Sequence, residues 1–144
     1  MASYLITGGA GFFGSILKKH LLSTGANCVS IDLEKDDFNH KNFIAYQGDI
    51  NDNKLMDEIF SSNKFDAIFH CAALLAHVKK DLKRLWHANV DGTQNVCDYA
   101  IKYNVNKIVF ISSNCLWAKN FDSPVAEKEY PNPVEIYGKS KVAG

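Results

Sequence analysis

The chain has 144 residues, and its 16 Lys and Arg balance 16 Asp and Glu, so the formal net charge is zero. That balance gives no electrostatic footing for nucleic acid or an anionic membrane, and a 47% hydrophobic composition with only three prolines excludes disorder as the default state. No apolar run approaches the roughly 18 residues that span a bilayer, and Met1 to Tyr4 lack the flanks of a secretory signal, so the chain is expected to be soluble and cytoplasmic. Cys28, Cys71, Cys97 and Cys115 are widely scattered. Neither a zinc site nor a disulfide framework is expected, and three of the thiols read as core residues.

In chain order, Tyr4 to Thr7 form a short apolar strand that stops at a glycine cluster. Phe13, Ile16, Leu17 and Leu21 then recur at helical spacing, predicting a helix with these residues on its core face and Gly25 at its end. Cys28 to Ile31 predict a second strand closing on Asp32, and a polar linker covers Leu33 to Asn42. A third strand follows at Phe43 to Tyr46, then a helix with Leu55, Met56, Ile59 and Phe60 on one face, and a fourth strand at Asp66 to His70. The longest helix is predicted from about Lys79 to Asn104, with Gly92 as a mild blemish, and the fifth strand over Lys107 to Ile111 reads as buried on both faces. A long loop holding Pro124, Pro131 and Pro133 follows it. Alternating strands and helices imply an α/β, doubly wound parallel sheet ordered 3-2-1-4-5, the Rossmann arrangement.

Four glycines fall within Thr7-Gly8-Gly9-Ala10-Gly11-Phe12-Phe13-Gly14, at the junction of the first strand and first helix. A diphosphate can rest on a helix N-terminus only where amides point outward and no Cβ intervenes, and the helix dipole favours the anion. Gly8 and Gly11 suit the turn and the close approach, and Gly14 lets the helix pack on the sheet. Asp32 stands at the end of the second strand, eighteen residues past Gly14, where a carboxylate can accept both ribose hydroxyls of an adenosine. A 2′-phosphate would meet like charge there. NAD is favoured over NADP, with Lys35 nearby leaving the second open.

Ser112 and Ser113 lie at the carboxyl end of the fifth strand, the sheet edge where ligands of open α/β folds bind. Tyr137 and Lys141 are four residues apart and share one face if a helix begins near Ile136. An ammonium about 4 Å from a phenol contributes roughly 4 kcal/mol at an effective dielectric of 20, which would lower the phenol's pKa toward neutrality. Tyr137 would then exchange a substrate hydroxyl proton.

In this combination the sequence resembles the extended short-chain dehydrogenase/reductases, particularly the NAD-dependent epimerase/dehydratases of nucleotide sugars. The resemblance runs through TGGAGFFG at 7–14, Asp32, Gly48-Asp49-Ile50, His70-Cys71-Ala72-Ala73, Asn89 to Thr93, Ser112-Ser113 and Tyr137 to Lys141. It implies a cofactor site that includes Phe12 and Phe13 besides the glycines, with Asp49 and Ile50 flanking the adenine and Ala72 and Ala73 lining the nicotinamide side. It also implies that Asn89 fixes the long helix near the active site. By the same resemblance Ser113 binds the substrate oxygen, Tyr137 is the acid/base, and Lys141 is its partner and holds the nicotinamide ribose.

Two departures narrow the chemistry. The family's 4,6-dehydratases follow their Ser/Thr with Asp-Glu, whereas here Asn114 and Cys115 stand at those positions, which disfavours dehydration. Cys115 has the spacing at which GDP-fucose synthase and GDP-mannose 3,5-epimerase are similar to this sequence and carry an acid/base cysteine; packing past a strand is the other reading. Trp117 and Ala118 either reshape a sugar pocket or fill core, and His70 and His77 are given no catalytic part. The resemblance implies a homodimer acting on a nucleotide sugar, through transient oxidation or net redox, with a non-catalytic dinucleotide sensor as the rival. Residues 1–144 are expected to form an NAD-binding domain incomplete at its C-terminus, with a further substrate lobe, weak NAD binding and little turnover alone.

Overall fold

The computed structural model describes residues 1–75, 81–117 and 124–144. His77, Ala118 and the expected helix start at Lys79 lie outside them. Five parallel strands, β1 (Ser3–Thr7), β2 (Asn27–Asp32), β3 (Phe43–Gln47), β4 (Ala67–His70) and β5 (Ile108–Phe110), form one sheet in the order β3-β2-β1-β4-β5. Leu5 pairs with Val29 on one side and Ile68 on the other, which puts β1 at the centre of the sheet. The order expected from the alternating pattern is the one observed.

Successive residues of β1 point to opposite faces, and each face has its own core. Leu5, with Val29, Ile31 and Ile68, packs on Met56, Ile59 and Phe60 of α2 (Asn53–Ser62) and on Val96, Tyr99 and Ala100 of α4 (Gly92–Lys102). Ile6, with Cys28, packs on Leu22 of α1 (Phe12–Ser23), flanked by Phe38, Phe43 and Phe69. α2 is fixed at its start by the Asp52 carboxylate, which accepts from the amides of Lys54 and Leu55.

The core face of α1 differs from the expected one. Phe13 and Ile16 are 47% and 53% exposed, and the helix instead buries Gly14, Lys18 and Leu22. The hydrophobic spacing misled because Lys18 goes inward to pair with Asp36 from the loop between β2 and β3, its ammonium lying over the rings of Phe38 and Phe43. The expected two-sided burial of β5 is also corrected: Val109 is 36% exposed, because β5 is an edge strand and the described residues cover mainly its other face. Of the cysteines, Cys28 is buried, Cys71 and Cys97 are half-buried and Cys115 is exposed, so one thiol rather than three is fully in the core.

The long helix exists but is not uniform. α3 (Leu82–Trp86) runs through a wider π turn at His87–Asp91 into α4. Gly92, at the junction, is a packing contact: a Cβ there would stand 2.6 Å from Ile50 Cδ1. Beyond β5, a short 3₁₀ turn at Asn114–Leu116 precedes α5 (Ile136–Ala143), which begins where the sequence placed it.

Candidate active site

The turn after β1 is built so that backbone can come close. Gly8 has φ +71° and a Cβ on it would lie 2.7 Å from the Ala72 nitrogen, while one on Gly14 would lie 2.2 Å from the Gly8 oxygen. Gly11 precedes α1 without a side-chain cap, and the first in-helix amide bond is Ser15 to the Gly11 carbonyl. The amides of Phe12, Phe13 and Gly14 are therefore left for an anion at the positive end of the helix.

A cavity of about 300 Å³ opens beside this turn. It is lined by Gly8, Gly11, Asp32, Asp49, Ile50, Ala72 and Ala73, seven of the residues the sequence singled out for a cofactor, drawn from the ends of β1, β2, β3 and β4. The Asp32 carboxylate sits at its edge, held by the amides of Ala10 and Glu34 at 2.9 and 3.0 Å. The cradle and the carboxylate fit a dinucleotide. Phe12 and Phe13 do not line the cavity, and Phe12 is 86% exposed; what they present toward an anion is their backbone amides.

The sequence reading missed Glu34, Leu74, Arg84 and Ala88, which also line the cavity. Arg84 and Ala88 are four apart, and only the long-range placement of α3 and the π turn after it brings them to the cavity. Lys35, which had left NADP open, points elsewhere: it is 72% exposed on its side chain, pairs with Asp37 at 2.5 Å and does not line the cavity.

Ser113 follows β5 and Tyr137 lies in the first turn of α5, whose Ser140 accepts from the Asn89 side chain, itself bonded to Leu74 of the cavity lining. The Ser113 hydroxyl accepts the Cys115 amide at 3.1 Å. Burial pushes the Tyr137 phenol above its ordinary pKa, hydrogen bonding to Ser113 draws it down, and the charge of Cys115 raises it further. Ser113 is thus near enough to act on the Tyr137 phenol. The lowering of the Tyr137 pKa expected from Lys141 is not seen. Lys141 is 5% exposed with Nζ 3.9 Å from the Phe110 ring centre, burial lowers its pKa to about 8, and it is not among the groups acting on the phenol. The aromatic face at the end of β5 holds the ammonium in this state.

The family model described as "NAD dependent epimerase/dehydratase family" matches residues 4–144. The chain belongs to the NAD-dependent epimerase/dehydratase family. It is 36% identical over 141 residues to the uncharacterized protein y4nG of Sinorhizobium fredii, covering 97% of this chain and 35% of that one. It is 32% identical to UDP-glucose 4-epimerase of Halalkalibacterium halodurans over 96% of this chain and 43% of that one. Among solved structures, the Bordetella bronchiseptica enzyme WbmG in complex with NAD and UDP superposes with a TM-score of 0.88 at 28% identity, over 97% of this chain and 46% of that one. The chain thus spans less than half the length of each of these relatives. NAD is the cofactor of the family, in agreement with the glycine turn and Asp32.

Proposed function

We propose that this chain is the NAD-binding part of a nucleotide-sugar epimerase working by transient oxidation at C4 of the sugar. The observation that carries the reading is the cavity joining the glycine turn to Asp32 and to Ala72 and Ala73, in a chain that also carries Tyr137 and Ser113 near each other. Gly8, Gly11 and the amides opening α1 would hold the diphosphate, Asp32 the adenosine ribose, and Asp49 and Ile50 the adenine. When bound, NAD supplies the acceptor and donor of hydride. Tyr137 takes the C4 hydroxyl proton and returns it, and Ser113 holds the same oxygen so that negative charge developing on it is stabilised. Lys141 keeps a cation near the site and would meet the nicotinamide ribose once drawn off Phe110. The similarity to UDP-glucose 4-epimerase supports a UDP-sugar as substrate. The test is Tyr137→Phe in the protein containing this chain, assayed on UDP-, GDP- and dTDP-sugars: turnover is expected to vanish while NAD binding persists, and unchanged turnover removes the mechanism.

The exposed Cys115, two residues after Ser113, supports a second reading. In that reading the thiol exchanges a proton α to the C4 ketone, giving a 3,5-epimerase type of reaction. Cys115→Ser distinguishes the two, because simple C4 epimerisation survives it. A homodimer through α3 and α5 is part of the proposal, supported by a shallow apolar hollow between Leu82, Trp86 and Ile136. Light scattering of the purified protein tests it.

A further inference from the structure

A buried histidine that the proposed chemistry does not use sits in a hydrogen-bonded network that reaches, through Asn89, from the cavity wall to α5. His70 ends β4 and is 1% exposed. Its Nδ1 lies 2.6 Å from Thr7 Oγ1 and its Nε2 lies 2.9 Å from Thr93 Oγ1. The neighbours fix where the protons are. The Thr93 hydroxyl donates to the Asn89 carbonyl at 2.7 Å, which uses its one proton, so its oxygen accepts from Nε2–H. In a neutral imidazole Nδ1 is then bare, and the Thr7 hydroxyl donates to it while accepting the Ala72 amide at 3.2 Å. Each proton has one acceptor.

The chain continues beyond Thr93. The Asn89 side chain accepts the Leu74 amide at 2.7 Å, donates to the Leu74 carbonyl at 3.0 Å and donates to Ser140 Oγ at 2.9 Å. Ser140 Oγ donates to the Tyr137 carbonyl at 2.7 Å. One end of the network is therefore the cavity wall at Ala72 and Leu74, next to the glycine turn. The other end is the helix turn between Tyr137 and Lys141.

We propose that His70, as its neutral Nε2–H tautomer, is a positioning residue that holds the cavity wall at Ala72 to Leu74 in register with the helix bearing Tyr137 and Lys141, through Thr93 and Asn89. This rests on the reading of those two segments as cofactor wall and catalytic helix. The histidine moves no proton in the reaction. A buried polar network that is only partly satisfied costs more than an apolar one, so each bond dictates the direction of the next and the set is kept or lost together. The charged group acting on the ring is Lys141 from α5, with the Phe110 ring of β5 5.6 Å away. Burial, aided by Lys141, lowers the imidazole to about 4, in keeping with a neutral ring.

The first experiment needs no variant: long-range ¹H–¹⁵N correlation of the His70 ring in the wild-type chain. Nε2 is expected to be protonated and Nδ1 bare, unchanged from about pH 5.5 to 8. An Nδ1–H tautomer, or titration near the ordinary histidine value, overturns the proposal. The second compares Thr93→Val with Thr93→Ser. In the valine variant the amide signals of Ala72 to Leu74 and of Tyr137 to Lys141 are expected to move together and the Kd for NAD to rise about tenfold, whereas serine restores both. Changes confined to α4 with unaltered affinity overturn it. If NAD leaves the wild-type spectrum unchanged while the paired amide shifts appear, the cofactor reading fails and the link between the two segments is supported.

Discussion

The Lys141 ammonium lies 3.9 Å from the centre of the Phe110 ring, in a site where the side chain is almost sealed from solvent. Burial lowers it from 10.5 to about 8, with Cys71 opposing the shift. Between those values the unfolded chain carries a proton that the folded chain does not, so stability rises with pH across that window, and the penalty stands in full below it. Cys28 and Cys71, each raised to about 11 by burial, act in the opposite direction above their ordinary value of 9.0. The clean interval is therefore pH 8 to 9. Urea unfolding of wild type and Lys141→Met is expected to show the wild type gaining on the variant across it; parallel curves would mean that the amine is solvated.

Lys18 and Asp36 have side chains only 2% and 8% exposed, and they tie α1 to the loop that follows Asp32. Removing one member leaves a buried charge without a counterion, at a cost of about 3–5 kcal/mol. Lys18→Met and Asp36→Leu are each expected to destabilise by that order, and the double variant by much less than the sum. A double-mutant cycle by chemical denaturation measures the coupling, and additive losses would contradict the buried pairing.

Gly14→Ala would drive a methyl to 2.2 Å from the Gly8 carbonyl, a contact between backbone atoms that no rotamer change relieves. The substitution is expected to lower stability by about 1–3 kcal/mol and to abolish NAD binding. Gly25→Ala is the control. It has open space but a φ of +86°, so it is expected to cost about 1 kcal/mol and leave binding intact. Thermal melts and calorimetric titration with NAD check both.

Asp32 and Glu34 place two acids at the cavity edge, and Arg84 brings a positive charge to the same cavity. Asp32→Ala is expected to weaken NAD binding about tenfold and to shift preference toward NADP, whose 2′-phosphate no longer meets the carboxylate. Reversing the Arg84 charge in that background should remove the NADP gain. Titrations with both cofactors decide the matter, and an unchanged NAD-to-NADP ratio would show that Asp32 does not face the ribose.

The sheet order, the glycine turn and the cavity residues from Asp32 to Ala73 were legible because they depend on strands and turns with local signatures. What was not legible depends on partners distant in the chain. The inward turn of Lys18 is invisible without Asp36, and the outward face of Phe13 and Ile16 follows from it. Tyr137 and Lys141 share a helix as their spacing implied, yet no local pattern shows that Phe110 holds the ammonium. Arg84 entered the cavity only through the course of the long helix, and the role of His70 required three side chains from other elements.

The wider turn at His87–Asp91 sets the angular phase of everything after it. A π turn takes up one surplus residue, and one residue of α-helix is about 100° of rotation. Upstream, Leu85 faces inward; downstream, Val96 and Ala100 do, and Asn89 within the turn meets both Leu74 and Ser140. Excising a single residue from this segment would leave a smooth rod with one half dialled away from its seat. The surplus residue works as a splice between two helical rulers, allowing the upstream half to follow the ligand groove and the downstream half to follow the sheet.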